Sequence, residues 1–183
     1  MRIKKNWPAM TALALVAIAG VAIGDDGAKR PTPTPTPLKP IHQSFLDDLV
    51  GNWATKSTMR HDGQSVEGTG ASSFARGLGD TAILQTYESS APDADGRSTK
   101  MYGHGVYRVA EDEATLEGWW FSNLTHDVLR LTGPVSTSGF EITGDGPNGK
   151  MTVSLQRAPD GLKLRVLEGT QEVLTESYTR TTK

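Results

Sequence analysis

Four histidines, 21 carboxylates and no cysteine are what this chain offers for chemistry. Without cysteine there are no disulfides, thiolate metal sites or thiol nucleophiles, and no lipid-modified cysteine behind a signal. His42, His61, His104 and His126 share no metal-ligand spacing, so no metal site is expected. No G-x-S-x-G elbow and no H-E-x-x-H helix occurs. The carboxylates fall singly, at turns or on polar faces, and local spacing places no pair for acid–base work. We therefore assign no catalytic residue and expect a non-enzyme. A site gathered from distant strands remains the enzymatic alternative.

Two stretches imitate ligand loops. Gly144-Asp145-Gly146-Pro147-Asn148-Gly149 matches G-x-G-x-x-G, but a phosphate-binding fingerprint must leave a strand and open a helix. Here strand-like sequence lies on both sides, with proline in the turn, so a hairpin is predicted. Asp93-Ala94-Asp95-Gly96 resembles part of a calcium loop but lacks its first and last oxygen donors, and a surface turn is favoured. Trp119-Trp120-Phe121 is the most unusual cluster. Neighbouring strand residues point to opposite faces, so Trp120 shares one face with Leu116 and Gly118, and Trp119 shares the other with Phe121. One of those faces needs a helix, a loop, a ligand or a partner to cover it.

The elements that position these residues are mostly strands. Ile41, Phe45, Leu46 and Leu49 fall on one face of a short helix, and Gly51 is expected to end it in a left-handed conformation. From Trp53 onward the apolar period is two. Met151, Val153 and Leu155 alternate with polar residues, as do Leu162, Leu164 and Val166, and Phe140 with Ile142. Such alternation packs one face and wets the other, which marks antiparallel sheet. Asp95-Gly96, Asn148-Gly149, Asp160-Gly161 and Gly169-Thr170 suit tight hairpins. We predict an all-β domain over residues 41–183, an antiparallel meander of about ten strands closing into a barrel behind a short N-terminal helix. Gly103 and Gly105, inside a strand, are assigned to a barrel corner in preference to a ligand contact.

The preceding segments read as delivery apparatus. Arg2, Lys4 and Lys5 precede an uncharged apolar run, so residues 1–24 are a signal peptide or an N-terminal membrane anchor. Residues 25–40 hold the Pro/Thr repeat Pro31 to Pro37, a disordered linker with polyproline-like reach of about 20 Å or more. Either reading exports the domain, to the periplasm, to the medium, or to the outer side of the inner membrane. The membrane is then a partner only if the segment stays uncleaved. The net charge of −2 with scattered basic residues excludes a nucleic-acid footprint.

The helix followed by Gly51-Asn52-Trp53 resembles the Gly-x-Trp opening of lipocalin-like (calycin) barrels. The resemblance implies that Gly51 and Trp53 form a plug at one barrel end and that Arg180, in the closing Tyr178-Thr179-Arg180, packs across the indole. That geometry requires the guanidinium within about 6 Å of the ring centroid. The run from Phe45 to Arg180 is also similar to a bacterial domain-of-unknown-function family, number 1579. The matching features are Leu49-Val50-Gly51-Asn52-Trp53, Met59-Arg60 with Asp62-Gly63, Leu78-Gly79-Asp80, Gly103-His104-Gly105-Val106-Tyr107-Arg108, and Trp119-Trp120-Phe121. That family carries no established activity.

A lipocalin-like barrel implies a small apolar or amphipathic ligand. Thr55, Ser57 and Met59 share the Trp53 face, and with Tyr102, His104 and Trp120 they are the candidate ligand-lining residues. Some calycin-like barrels hold haem through one histidine, and His104 is the candidate for that role. A surface or satisfied histidine is favoured there, so no cofactor is predicted. The alternative is an envelope protein that docks a partner through its outer surface and holds no internal ligand.

Overall fold

A computed structural model of the chain describes Pro40 and residues 43–61, 63–93 and 95–181. The expected leader, nearly all of the linker, Ile41 and His42 lie outside the described residues. One helix, α1 (Ser44–Leu49), precedes β1 (Gly51–His61), β2 (Gln64–Gly77), β3 (Ala82–Pro92), β4 (Ser98–Val109) and β5 (Thr115–Ser122). β6 (Leu129–Pro134), β7 (Gly139–Gly146), β8 (Gly149–Ala158), β9 (Gly161–Glu168) and β10 (Gln171–Arg180) follow. Each strand pairs with its neighbour in sequence, and β1 pairs with β10 to close the barrel. Closure leaves no sheet edge exposed. No helix among the described residues is long and apolar enough to cross a membrane.

The hairpins β1–β2, β3–β4, β5–β6, β7–β8 and β9–β10 all lie at one end of the meander. α1 and the other connections lie at the opposite end. The Gly144–Gly149 stretch is the β7–β8 hairpin, with Gly146 opposite Gly149. Asp93 builds the β3–β4 turn by accepting the backbone N–H groups of Asp95 and Arg97 on Oδ1.

Period-two patterning decides which side chains enter the barrel. Trp53, Phe74, Ile83, Leu116, Leu131, Phe140, Ile142, Leu155, Leu162 and Tyr178 form one buried cluster with Phe45, Leu46 and Leu49 of α1. The core therefore fills the helix end, and α1 seals it.

The sequence expectations for two glycine sites sharpen in detail. Gly51 directly follows the α1 cap Val50 with a positive φ of +139°, the glycine-favouring backbone expected at the end of the helix, and it is also the first residue of β1. A Cβ there would in addition stand 2.5 Å from Arg180 Nη1. Glycine is needed so that the Arg180 side chain can pass. Gly103 and Gly105 have a packing reason within β4. They face inward, where a Cβ on Gly103 would lie 2.2 Å from the Trp120 ring and one on Gly105 would lie 2.8 Å from the Tyr107 ring. Their missing side chains make room for two large aromatics inside the barrel.

Candidate functional site

At the helix end the plug is complete. The Arg180 guanidinium lies over Trp53, 4.4 Å from the ring centroid, inside the distance required of a cation–π contact. The same group donates from Nη1 to the Val50 carbonyl at 3.0 Å and from Nη2 to the Asp48 carbonyl. Trp53 Nε1 donates to the Leu49 carbonyl at 2.8 Å. The last carbonyls of a helix have no partner within it. Here the two plug residues supply those partners. Arg76 and Arg157 pair with Asp47 and Asp48, so arginines from three strands hold α1 in place. A depression of about 350 Å³ lies beside the plug, lined by Asp48, Trp53, Arg157, Asp160, Leu162 and Arg180. Its arginines are already engaged by the helix.

Toward the hairpin end the interior changes character. Met59, Val66, Met101, Trp120, Leu129, Met151, Val153, Leu164, Val166 and Leu174 all have the inward parity set by the strand register. All are only partly buried. These inward apolar side chains form a wall that solvent reaches at the hairpin end. All three methionines that follow residue 40 are on this wall. Methionine is unbranched and polarizable, and it adapts to varied shapes.

One pleat deeper than Met59 and Leu174, the side chains become polar. Ser57 stands opposite Glu176 across the β1–β10 pair, and Thr55 stands opposite Tyr178. Tyr87, from β3, donates from Oη to Glu176 Oε1 at 2.7 Å. Glu176 is 3% exposed. Burial pushes its carboxyl above the usual range, partly offset by the hydroxyl groups of Tyr178, Tyr87 and Thr55 beside it. Burial and the neighbouring carboxylate likewise push the Tyr87 and Tyr178 phenols upward, so both stay protonated. Thr55 is also 3% exposed, and its Oγ1 makes no hydrogen bond of acceptable geometry. A second polar chain runs nearer the helix end, where Tyr107 Oη donates to Gln85 Oε1 at 2.7 Å and Gln85 Nε2 donates to Ser72 Oγ at 3.0 Å. Trp120 meets Tyr87 edge-on at 5.9 Å, between the apolar wall and the Glu176 floor.

Glu176 ties stability to pH. The folded state holds its carboxyl proton more tightly than the unfolded chain does, so folding binds protons in this window. Wild-type protein should therefore lose stability as pH rises from the ordinary carboxylate value to the raised folded one. Glu176→Gln keeps an acceptor for Tyr87 and has no charge to bury. Urea denaturation at a series of pH values should show the variant gaining on wild type through that window and holding the gain above it. A difference that does not change with pH would contradict the burial of an ionisable carboxyl here.

The predicted lining residues divide. Thr55, Ser57, Met59 and Trp120 have inward parity, with Thr55 and Ser57 buried and Met59 and Trp120 partly reached by solvent. Tyr102 and His104 do not, because β4 sends Met101, Gly103, Gly105 and Tyr107 inward and the alternate residues outward. Both are exposed and border a groove of about 320 Å³ on the outer wall, with Ala54, Ala71, Thr86 and Glu88. Trp119 and Phe121 also face outward. Arg130 lies 5.8 Å from the Trp119 ring centroid, and Phe121 is exposed. Sequence reasoning passed over Glu176 and Tyr87. The available signal was parity alone, since Glu176 lies two residues before Tyr178 and four before Arg180.

No family model matches the chain, and no curated protein matches it. Among solved structures it is similar to Rv2717c from M. tuberculosis, with a TM-score of 0.55 and 20% sequence identity. The match covers 80% of this chain and 100% of that one. At that identity the likeness bears on the fold alone.

Proposed function

We propose that this is a lipocalin-like barrel domain, related to bacterial family 1579, that binds a small apolar or amphipathic molecule without transforming it. The observation that carries the reading is the hairpin half of the interior, where inward apolar side chains are reached by solvent above a buried polar layer of Glu176, Tyr87, Thr55 and Ser57, and we read it as a recess. Recesses of this kind, mostly apolar with a few convergent polar groups, suit small ligands. The sequence of residues 1–40 supports an exported or membrane-tethered setting, in which the barrel meets its ligand outside the cytoplasm.

Native mass spectrometry of the full chain purified under mild conditions tests the reading, together with Trp fluorescence during titration with medium-chain amphiphiles. Expected are a retained or titratable adduct and a change in Trp120 emission, since that ring stands in the recess wall. A bare mass with no emission change would overturn it. That result would favour the partner-docking reading, which has one observation of its own. Tyr102, Phe121, Leu124 and Val128 are exposed, and Asn123 joins the β5–β6 loop to Tyr102 by two backbone-directed hydrogen bonds. The start of the β5–β6 loop therefore lies beside Tyr102, and an exposed apolar set of this kind is what a protein contact would need.

A further inference from the structure

The floor of the recess restricts what kind of amphiphile it can hold. Glu176 is a buried carboxyl with one hydrogen bond of good geometry, from Tyr87. The groups that face it are Ser57 and Thr55 from β1, Tyr87 from β3, Leu164 from β9 and Tyr178 on its own strand. None of these is a cation. Among the described residues, no lysine or arginine occupies an inward strand position in the hairpin half. Arg157 and Arg180 are at the opposite end, engaged with α1. A carboxylate or phosphate ligand would thus place a second negative charge beside Glu176 with nothing to neutralise either.

Thr55 gives an independent indication. Its Oγ1 is a buried oxygen at an inward position beside the Glu176–Tyr87 pair, with no hydrogen bond of acceptable geometry. A buried hydroxyl whose hydrogen bonding is poorly met is costly, and a ligand donor would satisfy its acceptor lone pairs. An ammonium group carries up to three N–H donors and one positive charge, which suits an acceptor hydroxyl and a carboxylate together. The surroundings fit as well, because Tyr87, Tyr178 and Trp120 supply aromatic surface within the same part of the interior. Aromatic faces attract cations.

We propose that the occupant of this recess is an amphipathic amine: a hydrophobic chain or ring system with one protonated nitrogen, paired with Glu176 and hydrogen-bonded to Thr55 Oγ1. Met59, Met101, Met151 and Leu174 take the apolar part. The proposal rests on the recess being a ligand site.

The test titrates the full chain with decylamine, decanoate and decanol below their aggregation concentrations, following Trp fluorescence and calorimetry. Decylamine should bind about tenfold to a hundredfold more tightly than either other probe, as a charge-assisted contact provides. Glu176→Gln should abolish the preference, bringing decylamine down to the decanol level measured on the same variant. Thr55→Val, which keeps the shape and removes the acceptor, should weaken decylamine by about tenfold and decanol less. Equal or tighter binding of decanoate, or an amine preference that survives Glu176→Gln, would overturn the amine assignment while leaving the recess as a ligand site. Failure of all three probes to bind would overturn both.

Discussion

Trp53→Ala should destabilise the domain by about 3–5 kcal/mol, the cost typical of truncating a buried aromatic. The ring is 5% exposed and lies inside the main apolar cluster. Its removal would also break contacts that extend beyond its own area. The Leu49 carbonyl loses the indole N–H, and the Arg180 guanidinium loses the surface it lies on while still reaching the Asp48 and Val50 carbonyls. Arg180→Ala should cost less, because a cation–π contact with two carbonyl hydrogen bonds at a partly exposed site is worth about 1–3 kcal/mol. Since the two residues share partners, their effects should fall short of additive in the double variant. Guanidinium denaturation of the three variants checks this. A loss below about 1 kcal/mol for Trp53→Ala would mean that the plug contributes little to closing the barrel.

Parity made much of this molecule legible in the sequence. Alternation in β7, β8 and β9 gave both the strands and their buried faces, because a one-residue slip would move every apolar side chain to the wrong side. The Gly51–Trp53 opening and the distant Arg180 were legible only together, through their resemblance to a known barrel opening; local patterning alone left them a helix-to-strand junction. β4 was harder. Its residues Tyr102, His104 and Val106 have more apolar and chemically active side chains than the Gly103 and Gly105 that alternate with them, so composition pointed the wrong face inward. The reason lies in another strand: Trp120 fills the space over Gly103, and no local pattern in β4 encodes its arrival. Glu176 escaped notice for a similar reason. A glutamate in a strand otherwise suggests a wet face, and only the hydrogen bond from Tyr87, 89 positions away, marks it as interior.

Phe45→Ala should cost about 3–5 kcal/mol as well, and the loss should be concentrated in α1. A six-residue helix cannot hold itself together in water, since nucleation is unfavourable and it has few internal hydrogen bonds. Two kinds of contact retain it. Phe45, Leu46 and Leu49 are fully buried, with the Phe45 ring 6.1 Å from Phe140 in an edge-on arrangement and Arg157 5.6 Å from its centroid. Asp47–Arg76 and Asp48–Arg157 are ion pairs between substantially exposed side chains, each worth about 1 kcal/mol or less. Apolar burial should therefore dominate. Asp47→Asn with Asp48→Asn is expected to cost under about 2 kcal/mol in total and to lose its effect in high salt, whereas Phe45→Ala should be insensitive to salt. Limited proteolysis provides the local readout, with Phe45→Ala opening cleavage sites around α1 while the barrel remains resistant. A Phe45→Ala protein as stable as the double Asn variant would mean that arginine pairing, and not the apolar face, fixes the helix. The proposed ligand site is at the opposite end, so folded Phe45→Ala should keep whatever decylamine affinity wild type has, which separates the role of the helix as a seal from the proposed recognition.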